Sequence, residues 1–152
     1  MSNWLGQRPY QVLLVEDNPG DVRLEMEVLR ACAAPVEIHV AEDGVVALEM
    51  LHGAGGRPPL IPDLVLLDLN LPRKTGHEVL AEIRADRNLA LTPVVVFTSS
   101  SAEPDVRKAY ENHANCFLTK PSGFDNLMET IRQIEEFWLS RVSLPTRAGS
   151  PD

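Results

Sequence analysis

The amino-acid sequence predicts an α/β protein in which a doubly wound parallel sheet lies between two layers of helices. Short apolar runs alternate along the chain with segments of helical period, which is the pattern of repeated βα units. Two of these runs, at 64–67 and 94–97, are continuous, as expected for strands buried on both faces. Because the crossover between parallel strands is right-handed, five such units form a three-layer α/β/α sandwich.

Each predicted strand rests on a local pattern. Continuous apolar runs predict strands over 11–16, 64–68 and 94–98, and a shorter run predicts one over 116–119. In the remaining segment, 36–40, apolar residues alternate with Glu37 and His39, which predicts a half-exposed edge strand.

Helices are predicted where apolar residues recur every three to four positions, over 21–32, 44–51, 76–84 and 124–141, and a weaker helix with few large apolar residues is predicted over 102–112. In the first helix, Val22, Met26 and Leu29 share one face with Leu24 and Val28 on its flank, and Pro19 and Gly20 fit its entrance. The last helix has the longest apolar stripe, which comprises Phe124, Leu127, Met128, Ile131, Ile134 and Trp138.

The length of 152 residues suits one domain with a full core. We assign residues 10–141 to this domain, residues 1–9 to an N-terminal extension and residues 142–152 to a flexible C-terminal tail, where Pro145, Gly149 and Pro151 follow the last helix. The tail has no room for a DNA-binding or enzymatic output domain.

Composition excludes several classes of function. The formal charge of −8 and the absence of a Lys/Arg cluster argue against direct binding to nucleic acid. The two cysteines, Cys32 and Cys116, lie far apart, so we expect reduced thiols. The sequence has no signal-peptide pattern and no apolar stretch long enough to span a membrane, which predicts a cytoplasmic protein without membrane contact.

Polar residues follow four of the predicted strands at the point where each strand ends. Glu16 and Asp17 follow the first strand, Asp68 and Thr98 end the third and fourth, and Lys120 follows the fifth. The carboxyl ends of parallel strands share one edge of the sheet, where α/β folds place their sites. Clustered carboxylates repel one another unless a cation is bound, and Mg²⁺ prefers oxygen ligands. The pattern therefore predicts magnesium-dependent phosphoryl chemistry.

Each of these residues has a simpler alternative when it is taken alone. Asp17 could cap the first helix, and Asp68 could lie in a solvated turn. Thr98 could belong to the polar loop that continues through Ser99–Ser101. The bond between Lys120 and Pro121 could be cis, which would direct the lysine inward, or it could be an ordinary trans bond that starts a loop. The joint placement of the residues favours a site.

The motifs resemble those of the receiver domain of two-component response regulators. They are Val-Glu-Asp-Asn at 15–18, Leu-Leu-Asp-Leu-Asn-Leu-Pro at 66–72, Phe-Thr-Ser at 97–99 and Lys-Pro at 120–121. The resemblance covers about residues 10–140. It implies a flavodoxin-like (βα)5 fold with strand order 2-1-3-4-5, and a phosphoacceptor switch in place of an enzyme, with at most intrinsic magnesium-dependent autophosphorylation and autodephosphorylation.

The resemblance also assigns roles to residues. Asp68 would accept a phosphoryl group from a sensor histidine kinase, and Asp17, Asp68 and the backbone carbonyl of Asn70 would hold Mg²⁺. Glu16 stands where the family more often has Asp, and it would act on the cation directly or through water. Thr98 would bond the phosphoryl group and Lys120 would pair with it. Phe117 occupies the position of a switch aromatic, although a role as an ordinary core residue fits it equally well.

The end of the last helix resembles that of single-domain response regulators associated with bacterial phytochromes. Ile-Glu-Glu-Phe-Trp-Leu-Ser at 134–140 precedes Leu-Pro at 144–145. The resemblance implies a bacterial phytochrome as the kinase. Because Phe137, Trp138 and Leu139 cannot all lie on one buried stripe, they predict a homodimer interface; alternatively, Phe137 folds back onto its own domain.

Three rival interpretations fit the residues less well. A phosphatase of the haloacid dehalogenase type has a second Asp two residues after the nucleophile, where this chain has Asn70. A nucleotide-binding fold has a Gly-rich first loop, where this chain has Glu-Asp-Asn-Pro-Gly. A phosphorylation-independent scaffold would not require Asp68, Thr98 and Lys120 together.

Overall fold

The computed structural model describes residues 8–145. The predicted N-terminal extension therefore falls outside the described residues except for Arg8 and Pro9, and the predicted tail falls outside them after Pro145. Five parallel strands form one sheet in the order β2-β1-β3-β4-β5, which confirms the predicted fold class. The strands are β1 (Tyr10–Val15), β2 (Val36–Ala41), β3 (Leu64–Leu67), β4 (Val94–Thr98) and β5 (Cys116–Thr119).

Within residues 8–145, five α-helices connect and follow the strands, and a π-helical turn continues the last helix. They are α1 (Pro19–Arg30), α2 (Gly44–His52), α3 (Gly76–Ala85), α4 (Glu103–Glu111), α5 (Phe124–Glu136) and the π turn (Phe137–Arg141). No helix among residues 8–145 is long and apolar enough to cross a membrane.

The helices cover both faces of the sheet and give two separate cores. On one face, buried residues of α2, α3 and α4 such as Leu48, Leu80 and Ala109 pack together with Leu13 and Val96. On the other face, α1 and α5 pack against the sheet, where the buried set is Val12, Leu14, Leu24, Val28, Leu29, Leu64, Leu66, Val95, Phe97, Ile131, Ile134 and Leu139. The three-layer arrangement follows from these two cores.

Side-chain caps determine where three helices begin. The side chain of Asn18 accepts a hydrogen bond from the Asp21 N–H at the start of α1, and Asp43 does the same for Val46 in α2. Thr75 and Glu78 form a reciprocal capping box at the start of α3. The loops that precede these helices leave the carboxyl edge of the sheet, so the caps also fix the backbone near the site.

The structure corrects three sequence-based expectations. The peptide bond between Lys120 and Pro121 is trans and not cis, and no peptide bond among residues 8–145 is cis. Phe124, which we placed on the buried stripe, is 63% exposed. The buried face of α1 contains Leu24, Glu25, Val28 and Leu29, whereas Val22 and Met26 are only partly buried.

The prediction for Leu139 is also wrong. This side chain is 1% exposed and belongs to the core between α1, α5 and the sheet. The Val142 N–H bonds to the Phe137 carbonyl at 2.9 Å, which is the i→i+5 pattern of a π turn. Leu139 lies within this turn, so the period of 3.6 residues that describes α5 does not decide where its side chain points.

Candidate functional site

The predicted site residues come together at the carboxyl edge of the sheet. Glu16 follows β1, Asp68 follows β3, Thr98 ends β4 and Lys120 follows β5. Because β1 and β3 are adjacent in the sheet, Asp17 and Asp68 lie beside each other. The sheet topology therefore gathers residues that are far apart in sequence.

Three carboxylates form the acidic part of the site. Glu16, Asp17 and Asp68 each place a carboxylate oxygen within 4.8 Å of the other two. Glu16 and Asp68 are buried, whereas Asp17 is exposed to solvent. Three oxygen ligands in this space are a suitable donor set for a hard divalent cation.

Backbone N–H groups orient two of these carboxylates. The Asn18 N–H donates to Glu16 Oε2 at 3.0 Å, and the Asn70 N–H donates to Asp68 Oδ1 at 3.3 Å. Asn70 itself is exposed in the loop after Asp68. The position of this loop is consistent with the predicted role of the Asn70 carbonyl, which stays a prediction.

Lys120 brings one ammonium group to these carboxylates. Its Nζ donates to Asp68 Oδ2 at 3.2 Å, to Asp21 Oδ2 at 2.8 Å and to Glu16 Oε1. The side chain is only 6% exposed. The Lys120 N–H also bonds to the Thr98 carbonyl at 2.6 Å, which continues the pairing of β4 with β5 and directs the lysine inward without a cis bond.

Burial and charge change the acidity of two groups in the site. Burial raises the pKa of Glu16 to about 7, although the hydrogen bond and the charge of Lys120 oppose this effect. Burial acts to lower the pKa of Lys120, but its hydrogen bonds to Asp21 and Glu16 and the charges of Glu16 and Asp68 together outweigh burial and raise the pKa above the usual value. Lys120 is therefore a permanently charged group in a nearly closed space.

The loop after Thr98 is tied to two helices. Thr98 is fully buried, and its Oγ1 accepts a hydrogen bond from the Ser100 N–H at 3.4 Å. The Ser100 hydroxyl donates to Asp105 Oδ2 at 2.5 Å in the first turn of α4. Asp105 Oδ1 lies 3.1 Å from His77 Nε2 in α3. Movement of Thr98 would therefore affect α3 and α4.

Phe117, the predicted switch aromatic, is partly buried against the core of the α2, α3 and α4 face. Its backbone N–H donates to the Tyr110 hydroxyl at 3.2 Å, which links β5 to α4. The ring packs as a core aromatic, and its predicted movement stays a prediction.

Two residues of the site were not predicted from the sequence. Asp21 binds Lys120, and Glu25 is buried one turn further along α1. Burial, followed by the charge of Glu16, raises the pKa of Glu25 to about 8. The signal that could have found them is their spacing, since Asp17, Asp21 and Glu25 occur at intervals of one helical turn.

A family model described as the response regulator receiver domain matches residues 12–132. The chain belongs to this family. A receiver domain is a switch protein that partners with a histidine kinase, and it binds a divalent metal ion in its site. The match confirms the receiver-domain family that the sequence motifs indicated.

The receiver domain is similar to several named response regulators along almost its entire length. It is 45% identical to the response regulator Rcp1 of Synechocystis sp., over 90% of this chain and 94% of that protein. The solved Mn²⁺-bound form of Rcp1 has a TM-score of 0.86 and covers 91% of this chain and 100% of its own. The phosphorylated cyanobacterial phytochrome response regulator RcpA is 42% identical, with a TM-score of 0.84 and coverages of 91% and 100%.

A bacteriophytochrome response regulator, AtBRR, is also similar. It is 40% identical, has a TM-score of 0.67 and covers 86% of this chain and 96% of its own. The chain is therefore a single receiver domain homologous to response regulators of phytochromes.

Proposed function

We propose that Asp68 is the phosphoacceptor of a magnesium-dependent switch that a sensor histidine kinase controls. The observation that carries the proposal is the contact of Lys120 Nζ with Asp68 Oδ2 at 3.2 Å, inside a group of three carboxylates. Asp68 contacts the lysine and follows β3, which is the middle strand of the sheet. We also propose that the receiver domain extends over residues 10–141 and that the protein is located in the cytoplasm.

In the proposed reaction, a carboxylate oxygen of Asp68 attacks the phosphorus atom of the donor. The new P–O bond forms as the bond from phosphorus to the donor breaks, and the donor leaves with the electron pair of that bond. Lys120 already lies at Asp68 and is charged, so it can donate to the phosphoryl oxygens without a proton transfer. Catalysis then consists mainly of positioning and charge stabilisation.

Asp17, Asp68 and the Asn70 carbonyl are the proposed ligands of Mg²⁺, and Glu16 contributes directly or through water. When bound, the cation would neutralise charge on the transferring phosphoryl group. The residues fit this role, because three carboxylates lie within 4.8 Å of one another and two of them, Glu16 and Asp68, contact Lys120. Thr98 is the proposed hydroxyl donor to the phosphoryl group, and its loop would transmit the change to α4.

The decisive measurement is intact-protein mass after incubation with acetyl phosphate, with and without Mg²⁺. We expect the wild type to gain one phosphoryl group only when Mg²⁺ is present, and Asp68→Asn to gain none. The matched control is Asp125→Asn, which makes the same change at an exposed site in α5. A gain in Asp68→Asn, or no gain in the wild type from acetyl phosphate and from a histidine kinase alike, would contradict the proposal.

We further propose that the donor is a bacterial phytochrome with histidine kinase activity. The similarity to RcpA and AtBRR over most of the chain supports this assignment. The rate of phosphate transfer from a bacteriophytochrome kinase to the protein should differ between red and far-red illumination. A kinase without a photoreceptor serves as the control, and equal transfer rates from both kinases would contradict the assignment.

We also propose that the receiver forms a homodimer through the π turn. Phe137 is 52% exposed and its ring stacks edge-on against Trp138, with 5.4 Å between centroids. Leu139 is not part of this surface, since it is buried in the core. Phe137→Ala should lower the mass measured by light scattering, whereas Phe124→Ala, at an exposed Phe elsewhere, should not. An unchanged mass for Phe137→Ala would remove the π turn as the interface.

A further inference from the structure

The loop between β3 and α3 contains a backbone turn of a rare kind. The Lys74 N–H donates to the Pro72 carbonyl at 2.8 Å, and Arg73 between them has a φ of 67°. A three-residue turn whose middle residue has a positive φ is the rare and strained form of the γ-turn. A residue other than glycine keeps such a conformation only where its surroundings hold it there.

The side chain of Arg73 is held by Asp43 at the start of α2. Its Nε donates to Asp43 Oδ2 at 3.0 Å, and its Nη2 donates to Asp43 Oδ1 at 3.1 Å. The Asp43 side chain is only 15% exposed, and its Oδ1 also accepts the Val46 N–H that begins the helix. An arginine that makes two bonds to one carboxylate has a fixed geometry, unlike most ion pairs at a surface. Asp43 therefore fixes the strained turn from outside the loop.

The same loop carries Asn70, whose carbonyl is a proposed ligand of Mg²⁺. The Leu71 N–H donates to the Leu69 carbonyl at 3.1 Å, so Asn70 is the middle residue of a second tight turn. Within residues 8–145 the Asn70 carbonyl accepts no hydrogen bond, which leaves it available to a cation. Arg73 follows Asn70 by three positions, so a backbone that relaxes at Arg73 would move this carbonyl.

We propose that Asp43 and Arg73 are positioning residues for the metal site. This inference rests on the proposed function of the site. The pair holds the strained turn, and the turn determines the course of the loop. The loop in turn places the Asn70 carbonyl beside the cation that Asp17 and Asp68 would bind.

The alternative role of the pair is to stabilise α2 alone. Removal of the Arg73 side chain would then lower the free energy of unfolding and leave the metal affinity unchanged. Simple electrostatics predicts a third result, because loss of a positive charge near carboxylates favours the binding of a cation. Only the positioning role predicts that loss of this positive charge weakens metal binding.

The probe is Mn²⁺ alone, with the free ion measured by electron paramagnetic resonance. We expect Arg73→Ala to bind it about tenfold more weakly than the wild type, which is a common effect of removing a residue that orients a metal ligand. Arg73→Lys retains the charge without the paired bonds and should also bind more weakly. Asp43→Asn keeps a side chain that can cap α2 and should resemble Arg73→Ala. The double variant should bind no more weakly than Arg73→Ala, because both changes remove the same contact.

The matched control is Arg23→Ala. Arg23 is an exposed arginine that lines the cleft beside Glu16 and Asp17, so its removal also deletes a positive charge near the carboxylates. This variant should bind Mn²⁺ at least as tightly as the wild type. Urea unfolding without metal establishes that each variant is folded under the conditions of the titration, and Arg73→Lys carries the test if Arg73→Ala does not fold.

Each outcome decides the inference. Weaker Mn²⁺ binding in the Arg73 and Asp43 variants, with no further loss in the double variant, supports it. Wild-type or tighter binding in the folded Arg73 variants, losses that add in the double variant, or an equal loss in Arg23→Ala overturns it. If the wild type binds no Mn²⁺, or if Asp17→Asn binds it as tightly as the wild type, the proposed metal site itself fails and the inference fails with it.

Discussion

At the scale of single residues, the buried side of α1 carries an acid that the proposed chemistry does not use. Glu25 is 2% exposed and lies among Leu24, Val28 and Leu29 on the inward face of the helix. Burial and the nearby charge of Glu16 raise its pKa to about 8. Glu25 is therefore protonated in the folded protein at neutral pH, and ionised in the unfolded chain.

This difference predicts a pH dependence of stability. Because the folded-state pKa is raised, the contribution of Glu25 is fully present below the unfolded-state pKa of about 4.3 and is lost as pH rises through about 8. Wild type should lose about 2 kcal/mol of unfolding free energy from this group between pH 6 and pH 8, at about 1.4 kcal/mol per pH unit.

Urea unfolding at the two pH values measures the effect, and Glu25→Gln should unfold with a smaller pH dependence than the wild type. Glu27→Gln, at an exposed position on the same helix, is the control and should behave like the wild type. Identical pH dependence in Glu25→Gln and the wild type would show that Glu25 is ionised in the folded state.

At the scale of elements, the start of α3 is packed directly against the strand end that carries Asp68. A Cβ atom on Gly76 would lie 2.2 Å from the Asp68 carbonyl oxygen and 2.6 Å from Leu69 Cα. Both are backbone atoms, so they cannot move aside as the end of a flexible side chain can. The position of α3 and the position of Asp68 are therefore coupled.

Gly76→Ala should displace the backbone at Asp68. We expect it to cost about 1–3 kcal/mol of stability, as overpacking does, and to slow phosphorylation by acetyl phosphate. Urea unfolding and intact mass measure the two effects. Gly20→Ala in α1 is the control, since its added Cβ would meet only the side chain of Asn18 at 3.3 Å. Normal stability and phosphorylation of Gly76→Ala would mean that α3 shifts without moving Asp68.

The C-terminal end of α3 is anchored by Arg84 at the edge of the sheet opposite the site. Its guanidinium donates to the carbonyls of His113 at 2.9 Å and Thr92 at 2.8 Å, and to Asn115 Oδ1 at 2.9 Å. Asn115 Oδ1 also accepts the Val94 N–H at 2.8 Å, at the start of β4. This fork joins α3 to the segments that lead into β4 and β5.

Arg84→Lys should destabilise the fold although it keeps the charge, because an ammonium group cannot reproduce the planar fork. We expect a loss of about 1–2 kcal/mol, since the carbonyls lose bonds to a charged donor. Chemical denaturation measures it, with Arg87→Lys at an exposed position as the control. Equal stability of the two variants would indicate that water molecules replace the hydrogen bonds of the Arg84 guanidinium without loss of free energy.

At the scale of the whole molecule, folding forces acidic groups together that repel one another. The adjacency of β1 and β3 brings together Glu16, Asp17 and Asp68. Lys120 follows β5, which is an edge strand of the sheet, and its side chain reaches Asp68. The free energy of unfolding of the domain therefore depends on the positive charges that neutralise the carboxylates at this edge of the sheet.

Magnesium should stabilise the folded protein through this site. A ligand that binds only the folded state adds about 2.7 kcal/mol at 100 times its Kd. Thermal unfolding with MgCl₂, compared with NaCl at equal ionic strength, measures the gain. Asp17→Asn should reduce it, and Asp125→Asn should not. An equal gain in Asp17→Asn would exclude Asp17 as a ligand.

Much of the fold was predictable, because strand and helix periods are local properties of the sequence. The bounds of β4 and β5 agree with the predicted ranges, and polar residues at strand ends indicated Glu16, Asp68, Thr98 and Lys120. The failures occurred where the period alone does not determine the buried face. Phe124 lies in the first turn of α5 and remains exposed, and Leu139 lies in the π turn and is buried in the core.

The sequence by itself determined the fold class, the edge of the sheet that carries the site and the types of residue there, since each depends on short-range pattern and on the rules for parallel sheets. Only the tertiary structure decided which three carboxylates share Lys120, that Pro121 is trans, and that Glu25 is buried. These features depend on the distance between elements that are remote in sequence, and local periodicity does not specify that distance.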